Sequence, residues 1–172
     1  SFGMAALNSY YATPSVADEH GFALADAPWP HIFDPFRNAV AGKKVAVIGH
    51  FPFAPKALNQ AADFYMLERS LNEGDYPDSA AEYILPECDY VFITGSAFVN
   101  KTAPRLLELS RESFNVVLGP STPLAPVLLE DYGVSQITGM LPTSPLAMFE
   151  GLSGTDAGTT MFEWGHRVEL SA

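Results

Sequence analysis

Lys43–Phe53, KKVAVIGHFPF, is the stretch on which the fold turns. Val45, Ala46, Val47 and Ile48 form an unbroken apolar run after a charged start. A half-exposed strand would alternate, so this run reads as a parallel strand covered by helices on both faces. Gly49 ends it, and His50, Phe51, Pro52 and Phe53 follow where an open α/β sheet places its ligand crevice.

Working outward toward the C-terminus, a short helix around Lys56–Gln60 leads into a second strand, Asp63–Glu68. The loop Asn72–Asp78, NEGDYPD, is rich in turn formers. Ser79 with Glu82 three residues on has the form of a capping box and predicts a brief helix over Ala80–Leu85, closed by Pro86. Asp89–Thr94 reads as a third strand, broken by Gly95, and Leu106, Leu107 and Leu109 give Lys101–Ser110 a helical apolar face. Phe114–Leu118 reads as a fourth strand. Thr122-Pro123 opens a helix running to about Tyr132, with Gly133 as its C-terminal glycine. Ser135–Thr138 is a fifth strand, and in the Pro- and Gly-rich remainder only Arg167–Leu170 resembles another.

Toward the N-terminus, Met4–Ala12 has helix-forming residues, and Thr13-Pro14 stops it because a residue before proline is driven out of the helical region. From Pro14 to Pro35 periodicity is weak, and Trp29, Ile32 and Phe33 offer apolar anchors for an ordered connector. Asp34-Pro35 reads as an N-cap and first helical position, opening a short helix through Val40. Apolar strands alternating with helices make the class α/β, a Rossmann-like three-layer sandwich on a mainly parallel sheet of about five or six strands. The division expected is a helix and Pro-rich connector over 1–41 and the Rossmann-like domain over 42–172.

The 172 residues suffice for one core, and 48% hydrophobic residues supply it. Nine Lys and Arg stand against 20 Asp and Glu, a formal charge of −11, which argues against a phosphate-backbone surface and hence against nucleic-acid partners. Cys88 is the lone cysteine, so no intramolecular disulfide forms. It precedes the third strand, at the sheet edge opposite the crevice, and reads as structural. No apolar run reaches the roughly 18 residues of a membrane span, and no export signal is evident, so a cytoplasmic protein without a membrane partner is expected.

The loops leaving the strands contribute Gly49-His50, Glu68-Arg69, Gly95-Ser96 and Gly119-Pro120-Ser121-Thr122 to one edge. Glycine there permits close approach of backbone to a ligand, and is equally ordinary turn chemistry. Asn100, Lys101 and Thr102 at a helix start favour an anion. Glu68 falls 19 residues after Gly49, where a dinucleotide fold puts its ribose acid, but it also reads as a solvated pair with Arg69. GHFPF lacks the further glycines that admit a pyrophosphate, so NAD is not expected. His50 at a crevice suits a metal ligand or a proton carrier, and a hydrogen-bonded turn histidine equally well. Asp75, Asp78 and Glu82 offer oxygen ligands if NEGDYPD folds over the crevice. Glu82 and Asp78 have capping explanations, which leaves Asp75 the least explained.

GKKVAVIGHFPF (42–53), ERSLNEGDYPDSAAEYILPECDYVFITGSAFVNKT (68–102) and VVLGPSTPLAPVLLEDYGV (116–134) together resemble the heavy-metal chelation family, in which an enolase-N-terminal-like domain precedes a Rossmann-like one. Ala5–Tyr11, AALNSYY, is similar to the helix that closes the family's first domain. The resemblance implies a site between the two domains, with residues 1–41 the remnant of the first and a homodimer or partner chain in its place. It implies the site residues Asn8, His50, Glu68, Asp75, Asp78, Gly95, Asn100, Lys101, Thr102, Ser121 and Thr122. Joined to Gly49, Ser96 and Gly119 from the strand ends, these make the expected ligand-binding set, with His50, Asp75 and Asp78 facing a metal. The function expected is binding of a small anionic ligand or metal complex, a transition metal among the candidates. An enzyme or sensor with an adenosine-containing cofactor is the first alternative, and an interaction subunit without catalysis the second.

Overall fold

The structure is a computed structural model that describes residues 2–25, 27–154 and 162–172. Its strands are β1 (Ala23–Leu24), β2 (Lys44–Ile48), β3 (Asp63–Glu68), β4 (Tyr76–Pro77), β5 (Tyr90–Thr94), β6 (Phe114–Leu118), β7 (Gln136–Pro142) and β8 (Gly165–Ser171). They form one sheet in the order β1-β8-β7-β6-β5-β2-β3-β4. From β4 across to β7 every neighbouring pair is parallel, and β8 returns antiparallel to β7 and to β1.

The expected α/β sandwich on a mainly parallel sheet is present, with eight strands where five or six were expected. The additions are the two-residue edge strands β1 and β4, too short to carry a periodic signal, each fixed by its neighbour's register. Strand β2 shows why its run does not alternate. Val45 and Val47 enter one core with Phe92, Val116 and Leu118, whereas Ala46 and Ile48 enter a second with Val91, Ile93 and Val117, and all of them are buried. Two cores on two faces make three layers.

Among the helices are α1 (Phe2–Tyr11), α2 (Pro14–Glu19), α3 (Ala54–Ala57), α4 (Ala81–Ile84), α5 (Ser96–Val99), α6 (Ala103–Leu109), α7 (Val127–Asp131) and α8 (Pro145–Leu152). Several depart from expectation. Thr13 is extended and ends α1, but Pro14 then sits at the first position of α2, where its missing N–H costs nothing. The connector residues Trp29, Ile32, Phe33, Phe36 and Val40 are buried in the first core. Asp34-Pro35 lies within a short 3-10 turn instead of capping a helix, and the Asp34 carboxylate accepts from His31 Nδ1 at 2.7 Å.

The capping box is absent: no side chain caps the 3-10 turn Asp78–Ala80 or α4, and Glu82 accepts from Arg105 Nε at 2.9 Å. The helix expected from Thr122 begins only at Val127. Thr122, Leu124 and Ala125 are buried in a non-helical segment that carries Pro123 and Pro126, whose rings disfavour helix in the residues before them. Helix α8 was not anticipated, because its apolar residues do not form one stripe: Met148 is buried while Leu146 and Phe149 are largely exposed.

Cys88 lies just before β5, buried, with its thiol donating to Ile84 O at 3.3 Å. Burial pushes this thiol up to about 12, so little reactive thiolate exists at neutral pH. Folded protein at pH 7.5 is expected to resist iodoacetamide and to be alkylated once urea unfolds it, which mass spectrometry of timed samples would show. Among the described residues, no helix is long and apolar enough to cross a membrane.

Candidate functional site

The chain runs from β2 to β3 on one side and then crosses back to β5, β6 and β7 on the other, so the order reverses between β2 and β5. Loops leaving the strands on either side of such a reversal diverge and open a crevice. Here it is a cavity of about 580 Å³. Gly49 and His50 reach it from β2, Glu68 and Arg69 from β3, and Thr94 and Ser96 from β5.

His50 is positioned from two directions. Gly49 adopts φ +103°, a conformation open to glycine and strained for other residues, and turns the chain at the end of β2. The Glu68 carboxylate then accepts from the backbone N–H groups of His50 at 3.0 Å and Arg69 at 2.6 Å, stapling the ends of β2 and β3 together. Glu68 is thus a loop staple, not the partner of the Arg69 side chain, whose guanidinium lies 3.3 Å from Asp78.

The imidazole is held by Asp75, from the NEGDYPD loop. Its Nδ1 lies 3.0 Å from Asp75 Oδ2 and 3.2 Å from Oδ1, and Asn72 donates to Oδ2 through its backbone N–H at 3.0 Å and its side chain at 3.2 Å. The Asp75 side chain has no exposed surface, whereas that of His50 is 31% exposed. Burial alone would push the Asp75 carboxyl up, but the bonds from Asn72 and His50 outweigh it and hold the group below its ordinary range. An ionised carboxylate only accepts, so Nδ1 is the donor and a neutral His50 carries its free lone pair on Nε2. The same arrangement orients metal-binding histidines and catalytic bases.

Across the cavity, Asn100 Oδ1 accepts from the Thr102 backbone N–H at 3.1 Å and from Thr102 Oγ1 at 2.7 Å. This Asx turn carries Lys101 at φ +68°, the one described non-glycine residue in the left-handed region. The Thr102 donors are thereby committed, and α6, only seven residues long, does not present them to an anion. Of the three cations lining the cavity, Arg69 pairs with Asp78 and Arg105 with Glu82 and Glu108. Among the described residues, Lys101 has no ion pair. The Arg105 guanidinium holds the Glu82 carboxyl below its ordinary range.

Of the expected set, Gly49, His50, Glu68, Asp78, Ser96, Asn100, Lys101 and Thr102 line the cavity. Asp75 acts behind His50. Asn8, Gly95, Gly119, Ser121 and Thr122 are not in its wall and form a contact of their own: Asn8 Nδ2 donates to Ser121 O at 3.1 Å, Thr122 is 3% exposed, and Gly95 packs directly on the Ser121–Thr122 backbone. The expected metal trio is not brought together, since Asp75 holds the far nitrogen of His50 and Asp78 holds Arg69. Among the described residues, no group of three His, Cys, Asp or Glu side chains is arranged to hold a metal ion. Arg105 and Thr94 were missed; the capping-box reading of Glu82 concealed the ion pair that points to Arg105.

A family model described as "Putative heavy-metal chelation" matches residues 31–168. A solved DUF364 protein of unknown function from Desulfitobacterium hafniense is 43% identical and superposes with a TM-score of 0.87, covering 100% of this chain and 67% of its own. A second, from Pyrococcus horikoshii, shares the fold at 21% identity and TM-score 0.83, covering 99% and 67%. An uncharacterized protein of Methanocaldococcus jannaschii is 30% identical over 101 residues, 55% of this chain and 39% of that protein, so the match spans well under half of the curated relative.

Proposed function

The chain belongs to the DUF364 family, and on that premise we propose that the strand-end cavity binds a small anionic molecule or an anionic metal complex, with His50 and Lys101 as its two recognition groups. The observation that carries this reading is the Asp75-held imidazole of His50 at the switch point of the sheet. Lys101 supplies a cation that, among the described residues, has no carboxylate partner. A bare metal ion is poorly served, because among the described residues no three such side chains are arranged to hold one, and the wall carboxylates Glu68, Asp78 and Glu82 are engaged elsewhere. A metal already held by an anionic chelator does fit, since it needs only one further ligand and its carriers' charge meets Lys101. His50 Nε2 would supply that ligand; Asp75 would fix the ring's tautomer and raise its basicity.

The test uses nickel nitrilotriacetate, an anionic chelate with open coordination positions, titrated calorimetrically into the full chain at pH 7.5. Saturable binding at one site is expected, abolished by His50→Ala and weakened roughly 10- to 100-fold by Asp75→Asn. Nickel chloride should bind more weakly than the chelate. Equal binding of the chelate by the wild type and His50→Ala would overturn the reading.

A further inference from the structure

His50 and Phe51 belong to two cavities at once. One is the strand-end cavity. The other, of about 900 Å³, takes in all four residues of the HFPF turn, so His50 and Phe51 form the crest between the two. The crest is braced from the core: the wholly buried Phe33 meets the ring of Phe51 at 5.5 Å and that of Phe53 at 5.8 Å between centroids.

The two walls differ in chemistry. The first carries six charged side chains, Arg69, Lys101 and Arg105 with Glu68, Asp78 and Glu82. In the second, Leu24, Phe51, Phe53 and Phe162 stand among four prolines, and the polar side chains are those of His50, His166 and Arg167. Leu24 is 65% exposed and Phe162 51%, although both are large and apolar. Apolar surface left open in a concave wall is what the apolar part of a ligand covers. Among the described lining residues, the second wall has no carboxylate to oppose a complex of negative charge.

We infer that the molecule met by His50 is amphipathic: an anionic chelate whose charged head lies in the first cavity and whose ring-bearing apolar body crosses the crest into the second. This rests on the reading of His50 given above and names the class of ligand. A head bound at Nε2 stands on the crest, and the walls decide which way its substituent turns. On the charged side an apolar body would displace water from ionised groups, whereas on the other it covers exposed carbon.

The probes are nickel nitrilotriacetate and nickel N,N-bis(carboxymethyl)phenylalanine, which share donor atoms and charge and differ by one benzyl group. Calorimetric titration of the full chain at pH 7.5 should find the benzyl chelate about tenfold tighter or more, with a more negative heat-capacity change, as the covering of a phenyl ring requires. Leu24→Ala and Phe162→Ala, both at exposed positions, should bring the ratio of the two dissociation constants toward one, whereas Leu109→Ala, in the first wall, should leave that ratio standing. If nickel nitrilotriacetate binds through His50 and the benzyl chelate binds no more tightly, the inference is overturned while the reading of His50 stands. A benzyl gain that survives both Leu24→Ala and Phe162→Ala overturns it too, and loss of that gain in Leu109→Ala would put the ring in the first cavity. If neither chelate binds, the reading of His50 fails and the inference fails with it.

Discussion

Phe33→Ala is expected to lower stability by ~3–5 kcal/mol, the largest loss from any single truncation proposed for this chain. The residue lies in the connector before the first parallel strand and has no exposed surface. Its ring meets Phe92 of β5 at 5.2 Å, Phe51 at 5.5 Å and Phe53 at 5.8 Å between centroids. It therefore bridges the connector, the sheet and the HFPF turn at once. Alanine would leave a cavity walled by three rings, one from β5 and two from the HFPF turn, and such a site cannot collapse without moving the turn. At ~2–4 °C per kcal/mol for a chain of this size, the melting temperature should fall by roughly 6–20 °C. Calorimetry or urea titration checks this, and a change of less than ~1 kcal/mol would show that the connector is not part of the core.

Gly95→Ala is expected to cost roughly 3 kcal/mol, or a fall of about 6–12 °C in melting temperature. The reason is space and not conformation, because Gly95 has φ −56°, which any residue adopts. A methyl group there would come within 2.7 Å of Ser121 C and Thr122 Cα, both backbone atoms that no rotamer change can withdraw. The end of β5 and the loop after β6 would have to separate, in a place where Thr122 and Leu124 are buried. Gly3→Ala is the control: it lies in α1 with nothing within 4 Å, and thermal melting should find it neutral or slightly stabilising.

The strands β2, β3, β5 and β6 were legible because a strand buried on both faces reads as a continuous apolar run, and their limits fall within a residue or so of the expected ones. Where tertiary partners decide the outcome, the reading was less secure. Ser79 and Glu82 have the spacing of a capping box, yet Glu82 is drawn away by Arg105, 23 residues on. Thr13-Pro14 ends one helix and also starts another, which local propensity alone does not distinguish. At Gly95 the sequence suggested close approach of a ligand, and the structure shows close approach of the protein's own backbone.

His50 and Asp75 show the same limit within the candidate site. Each stood out singly, the histidine for its place after β2 and the aspartate for lacking a local explanation. Only the folding of the NEGDYPD loop against the end of β2 brings them to 3.0 Å. Both were expected to face a metal, whereas the Asp75 carboxylate is turned to the His50 ring itself.

The central claim is that Asp75 keeps the His50 proton on Nδ1 and so presents Nε2 as the free nitrogen. Long-range proton–nitrogen-15 correlation of the imidazole rings at pH 8, with His50→Ala to assign the ring and Asp75→Asn for comparison, tests it directly. In the wild type, His50 should be in the Nδ1–H tautomer, and Asp75→Asn should release it toward Nε2–H. A wild-type His50 already in the Nε2–H form, unchanged by Asp75→Asn, would contradict the account.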